Sequence, residues 1–284
     1  MPTIGPYELH TIETGRFGLD GGAMFGIVPR PLWERRIQPD SKNRIPLQMR
    51  CLLLEGESRV ILIDNGLGEK IDEKFRRIYA VDHESSSLSR SLHAAGFSPE
   101  DVTDVVLTHL HFDHCGGCTK MAGDTLKLTF PNARYHVQRA HWEWARSANV
   151  REAASFLDEN LAPLGRSGRL ELVEGACPLF PGVEVITVDG HTEAQQLVKI
   201  HDAERTLVFV ADLLPTTAHL REAWIMAYDV RPLVTLEEKR TFLEQALEKG
   251  WDFFFEHDPD IAVGTPARTA GGIEIAEARS LEDL

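Results

Sequence analysis

Alternating apolar and polar positions predict strands over 7–14 and 48–54. A third apolar run at 60–63 follows the turn Gly56-Glu57-Ser58, giving a hairpin that ends in Asp64-Asn65-Gly66. The period then lengthens. Helical spacing covers 69–79 and 86–95, the second closing at Gly96, before a strand over 101–107 that contains Val105-Val106-Leu107. A strand over 133–137 precedes helices over 139–147 and 150–161, the latter ending near Pro163-Leu164-Gly165. Strands over 170–173, 183–188, 196–200 and 206–210 form a second set, followed by a helix over 235–249 that Gly250 closes and a last strand over 251–255. Strands and then helices, twice over, predict a sheet-on-sheet core with helices outside. Residues 15–46 stand apart. They are rich in Gly and Pro and lack a sustained period, yet carry Met24, Phe25, Ile27, Val28, Leu32 and Trp33, which predicts either a loop insertion on the substrate side or a strap over the core.

Composition narrows the class. With 284 residues, 43% of them hydrophobic, the chain can bury a large core, and one α/β domain over 1–284 is expected. A net charge of −14, from 30 basic and 44 acidic residues, repels polyanions and argues against nucleic acid as a partner. The start, Met1-Pro2-Thr3-Ile4-Gly5-Pro6, has no secretory pattern, and no run approaches the ~18 apolar residues of a membrane span, so a cytoplasmic protein with no membrane partner is expected. The apolar stretch from Gly21 to Trp33 is a candidate homodimer contact. Cys51, Cys115, Cys118 and Cys177 are too scattered for a disulfide framework. The Cys115–Cys118 pair reads as a redox motif, an accessory metal clip, or small residues packed in a Gly116-Gly117 turn.

The chemistry concentrates in Thr108-His109-Leu110-His111-Phe112-Asp113-His114, directly after an apolar run. Imidazole and carboxylate suit divalent zinc, iron, cobalt or manganese, and a short turn holds several of them near one point. Along a strand direction His109 and His111 share a side, while Asp113 and His114 on the turn serve a neighbouring position, which suggests two ions. Three more apolar runs end in residues of ligand type: Val188-Asp189-Gly190-His191, Phe209-Val210-Ala211-Asp212 and Phe253-Phe254-Phe255-Glu256-His257. A strand tip is a rigid support for a ligand beside an open loop.

His109-x-His111-x-Asp113-His114, followed by His191, Asp212 and His257, resembles the metallo-β-lactamase superfamily over Leu52 to His257. The resemblance implies an αββα four-layer sandwich with a dinuclear site at one edge of the two sheets. It assigns His109, His111 and His191 to one ion, Asp113, His114 and His257 to the other, and Asp212 to both. Asp64 is similar to the family's buried aspartate that supports the metal loop. Asp212 together with His114, the intervals from His191 to Asp212 and on to His257, and the text Leu107 to Gly117 resemble the acyl-homoserine-lactone lactonase and methyl parathion hydrolase branch. The implied activity is a hydrolase in which two divalent ions, most readily zinc, produce a bridging hydroxide from water and open a lactone or other small carboxylic ester. Asp113 and Asp212 are the catalytic carboxylates in that picture.

Two positions depart from the branch: Pro215 stands where a tyrosine is common, and His191-Thr192-Glu193-Ala194 replaces His-Thr-Pro-Gly. Met24, Phe25, Trp33, His219, Trp224 and Tyr228 are candidate pocket residues, with Tyr228, His219 or Trp224 as substitutes for the missing hydroxyl. An acidic exterior and the apolar loop residues Met24, Phe25, Trp33, Trp224 and Met226 favour a neutral or acyl-bearing small molecule over a polyanion. An organophosphate triester or a thioester, as in glyoxalase II, would use the same site. Readings of another class are an iron-dependent oxidoreductase and a non-catalytic scaffold.

Overall fold

The computed structural model describes residues 1–56 and 58–284. Glu57, in the expected turn between the strands Arg44–Gly56 and Arg59–Ile63, lies outside the described residues. Two seven-stranded sheets face each other. The first runs, in spatial order, Thr3–Ile4, Tyr7–Asp20, Arg44–Gly56, Arg59–Ile63, Asp104–Val106, Arg134–Gln138 and Leu170–Val173. The second runs Pro178–Phe180, Val183–Val188, Gln195–His201, Thr206–Phe209, Asp252–Phe254, Val263–Thr269 and Gly272–Arg279.

Side-chain alternation explains the four layers. Leu52, Leu54, Ile61, Ile63 and Val106 point to the space between the sheets, where they meet Val185, Val198, Val208 and Phe254. Their neighbours Cys51, Leu53, Leu62, Val105 and Leu107 point outward, onto Leu88, Leu92, Trp142, Leu161 and Leu164 of the helices Leu88–Ala94, Arg139–Ala145 and Asp158–Arg166. A strand apolar on both faces must be covered on both. On the far side, Phe242, Leu243 and Ala246 of the helix Pro232–Lys249 cover Phe253 of the second sheet. The αββα sandwich expected from the resemblance is the observed fold.

Several elements differ from the periodicity. The expected helix over 150–161 is a turn at Ala153–Ser155 followed by the helix Asp158–Arg166. Pro163 sits inside that helix because the Glu159 carbonyl it cannot bond accepts the Thr119 hydroxyl instead, at 3.0 Å. The helix over 69–79 shrinks to Glu73–Ile78, capped by the Asp72 carboxylate. Residues 15–46 are not all loop: Tyr7–Asp20 and Arg44–Gly56 extend into both ends and pair with each other. What remains is a strap whose short helices Gly21–Phe25 and Arg30–Trp33 bury Phe25 and Trp33. The hairpin Val263–Thr269 with Gly272–Arg279 lies outside the expected elements, because Pro266 sits at a register shift in its first strand and the alternation Ile273-Glu274-Ile275 in its second is brief.

Candidate metal centre

The metal loop leaves the first sheet at Val106, and its first turn is held by a buried aspartate. Asp64, at φ 54 after its strand, accepts the Thr108 main-chain N–H at 2.8 Å and the Thr108 hydroxyl at 2.6 Å. A non-glycine residue in the left-handed region is costly, and the hydrogen bonds that hold Asp64 offset that cost. Behind the loop, Gly116 lies against the main chain of Leu67, where an added Cβ would fall 2.1 Å from the carbonyl oxygen. The close approach at this position requires glycine.

His109, His111, His191, Asp113, His114, His257 and Asp212 all converge, buried, at the edge of the two sheets. His111 Nδ1 lies 3.0 Å from His109 Nε2 and 3.2 Å from His191 Nε2. His257 Nε2 lies 3.1 Å from His114 Nε2 and 3.8 Å from Asp113 Oδ2. Asp212 spans the groups: Oδ2 is 3.3 Å from His191 Nε2, and Oδ1 is 3.3 Å from His257 Nε2 and 3.6 Å from His114 Nε2. The residue before it, Ala211, has φ 42, a strained turn that aims the carboxylate inward.

The outward nitrogens decide what the inward ones can do. His111 Nε2–H donates to Glu152 at 3.0 Å, His191 Nδ1–H to Asp229 at 2.8 Å, and His257 Nδ1–H to the Gln48 carbonyl at 2.9 Å. His114 Nδ1–H donates to Asp64 at 3.1 Å, with the Glu256 carboxylate 2.9 Å from the same nitrogen. The Thr108 hydroxyl donates to Asp64, so it accepts from His109 Nδ1–H at 3.0 Å. Each acceptor fixes the ring proton outside and leaves a lone pair inside. Five inward ring nitrogens and the Asp212 carboxylate, whose Oδ1 takes no hydrogen bond, thus face one another in a buried space. Protons or metal cations must sit among them to offset their mutual repulsion. The separations are close to the about 3.4 Å expected between neighbouring donors on a tetrahedral zinc-like ion.

Charge follows the same logic. Burial opposes a proton on His257, but Asp212 overrides it and lifts the ring to about 9. His114 and His191 are raised against the same opposition, mainly by Glu256 with Asp212 and by Asp212 with Asp229, respectively. Burial instead pushes His109 and His111 down. Burial would raise Asp212, yet the imidazoles around it hold its carboxyl well below the usual range. Such a set exchanges protons for divalent cations.

A cleft of about 250 Å³ opens over the centre, lined by His111, Asp113, His191, Asp212 and His257 at its floor. Of the expected pocket residues, Met24 and Tyr228 line it. Phe25, Trp33, His219 and Trp224 do not. Phe25 is sandwiched between Trp33 and His219, with centroids 5.2 and 4.8 Å away, and Trp224 meets its edge. His219 binds the Met24 carbonyl and Thr216, and burial keeps it near 4 and neutral, so it anchors the strap rather than serving the cleft. Pro215 is buried, and the tyrosine hydroxyls in the lining come from Tyr79 and Tyr228. Sequence reasoning missed Tyr79, Glu152, Asp229 and Glu256. None belongs to a motif, since each acts on a partner distant in the chain. Cys115 donates to the Leu110 carbonyl, Cys118 accepts from Asn65, and burial pushes the Cys118 thiol up to about 12. They pack the turn as buried neutral thiols, in line with the packing reading.

A family model described as the metallo-beta-lactamase superfamily matches residues 44–264. An N-acyl homoserine lactonase of Bacillus cereus is 29% identical over 177 residues, covering 59% of this chain and 64% of that protein. The chain therefore spans less than two thirds of this relative's length. Another of that name, from Bacillus thuringiensis, is 25% identical over 88% of this chain and 93% of its own. A solved structure of a probable metal-dependent hydrolase from Staphylococcus aureus superposes with TM-score 0.90 at 30% identity over 100% of both chains. A dizinc quorum-quenching lactonase with a bound product shares the fold, with TM-score 0.81 at 22% identity over 99% of this chain and 97% of its own. With its ligand set assembled at one edge of the sandwich and the family model spanning most of its length, the chain belongs to the metallo-beta-lactamase superfamily.

Proposed function

We propose that this protein is a dinuclear metal-dependent hydrolase that opens a lactone or another small carboxylic ester. The observation that carries the reading is the inward set of five imidazole lone pairs split into two groups by the two oxygens of Asp212. When bound, two divalent ions supply Lewis acidity toward a carbonyl oxygen and make water acidic near neutral pH.

The chain's own residues do the rest. Asp212 holds the two halves at a fixed spacing. Asp113 lines the cleft floor beside His114 and His257, where its carboxylate can take up a proton and return it to a departing alkoxide. Leu19, Met24, Phe112 and Met226 form an apolar wall that seats the acyl part and excludes water. The relatives named N-acyl homoserine lactonase favour a lactone over a phosphotriester or thioester.

The test is metal analysis followed by a panel of lactones and simple esters. Two equivalents of metal with hydrolysis is the expected result. One iron with oxygen uptake, or a fully loaded protein inert toward the whole panel, overturns the reading.

A further inference from the structure

Arg151 is the single Lys or Arg side chain among those lining the cleft. In a chain with 44 acidic and 30 basic residues, Arg151 makes no ion pair among the described residues. Its Nη2 is spent on main-chain carbonyls instead, those of Ala227 and, at 3.3 Å, Asp229. Carbonyls fix a guanidinium in place without neutralising it. Its Nε and Nη1 groups take no partner among the described residues, so an oriented, uncompensated cation stands at the wall of the cleft. Its neighbour Glu152 does not neutralise it either: that carboxylate is committed to His111, Thr192 and Trp144 Nε1.

We infer that Arg151 is a specificity residue that receives a carboxylate carried by the substrate beside the scissile ester. This deepens the ester-hydrolase reading and rests on it. A preorganised guanidinium with free N–H groups is a carboxylate receptor, and its hydrogen bonds to an anion are stronger than to a neutral oxygen. A carboxylate suits the site better than a phosphate. One guanidinium balances one negative charge, whereas a dianion would leave a second without a partner at this wall. Leu19, Met24 and Met226 in the same lining take the apolar spacer between ester and anion. Such a monoanion, its charge met locally, is still the small acyl-bearing molecule, not the polyanion, that the acidic exterior favours.

The test uses a pair of esters of equal length, monomethyl and dimethyl adipate, with the metal-loaded wild type, Arg151→Met and Arg151→Lys. The inference expects Arg151→Met to raise KM for the monoanionic ester by ~10-fold or more, to leave kcat/KM for the diester within ~3-fold, and Arg151→Lys to recover part of the preference. Equal losses on both esters, with reduced metal content, would make Arg151 only a strut for the 227–229 segment and overturn the inference. So would a wild type with no preference for the monoanion. Calorimetric binding of monomethyl adipate to the same three proteins decides the matter even if neither ester is turned over. Weaker binding by Arg151→Met then upholds the anion site whatever the fate of the ester reading, and unchanged binding overturns the inference.

Discussion

The two halves of the metal centre rest on different parts of the molecule. His111 and His191 are oriented by Glu152 and Asp229, which sit on loops whose adjacent residues, Arg151 and Tyr228, line the cleft. His114 and His257 lean on Asp64, Glu256 and the Gln48 carbonyl, at strand ends or within a strand. Main-chain bonds from Gln48 to His257 and from Arg50 to Glu256 tie those supports across the two sheets. One half is therefore coupled to the substrate wall, and the other inherits the rigidity of the ladders. Loops open at low cost and sheet edges held by ladders do not, so the two halves should respond differently to the same kind of damage.

Asp212 belongs to both halves, and its loss is the largest effect expected. Asp212→Asn should lower kcat by ~10²–10³-fold and reduce the content of both ions, read by metal analysis beside turnover. Near-normal turnover with two ions bound would show that the halves do not depend on a shared carboxylate. Next come the supports taken one half at a time. Glu152→Ala should weaken metal affinity at the first half by ~10–100-fold, and Asp64→Ala should do the same at the second. Chelator titration should then resolve one tight and one weak ion in each variant. Both should lower Tm, since Glu152 also accepts from Thr192 and Trp144, and Asp64→Ala the more, because Asp64 holds the Thr108 main chain and hydroxyl. Identical profiles for the two variants would dissolve the contrast. Glu256→Gln should cost less than Asp64→Ala, since Asp64 still accepts the His114 proton, and a larger loss would reverse the ranking of the two supports.

The smallest effect concerns pH. His141 accepts the Leu110 main-chain N–H at 2.8 Å, and burial pushes its ring down to about 3. The folded form resists a proton that the unfolded chain accepts below about 6.5, so stability is retained above that pH and lost as pH falls below it. Thermal melts between pH 6.5 and 4.5 should show wild type losing up to ~1.4 kcal/mol per pH unit relative to His141→Gln. Parallel slopes for the two proteins would remove His141 from the acid response.

What could be read from the chain follows from how locally each feature is encoded. The seven inward residues were legible because each follows or closes an apolar run, and a strand tip announces where its next polar residue stands. The sandwich was legible in Cys51 to Leu54 and Val105 to Leu107, apolar on both faces and so in need of cover on both. Phe25, Trp33 and Trp224 misled, because an aromatic in an aperiodic loop looks the same whether it lines a cleft or stacks under it.

Only the tertiary structure decided which carboxylates face the metal centre from behind and which cation faces it from in front. Glu152, Asp229 and Glu256 act through partners far away in sequence and take their roles from burial, while the exposed Arg151 is held in place by the distant carbonyls of Ala227 and Asp229. Sequence sets the kind and order of donors. Folding sets their tautomers, their charge and the wall beside them, because those depend on which acceptor packs behind each ring and how much water is left around it.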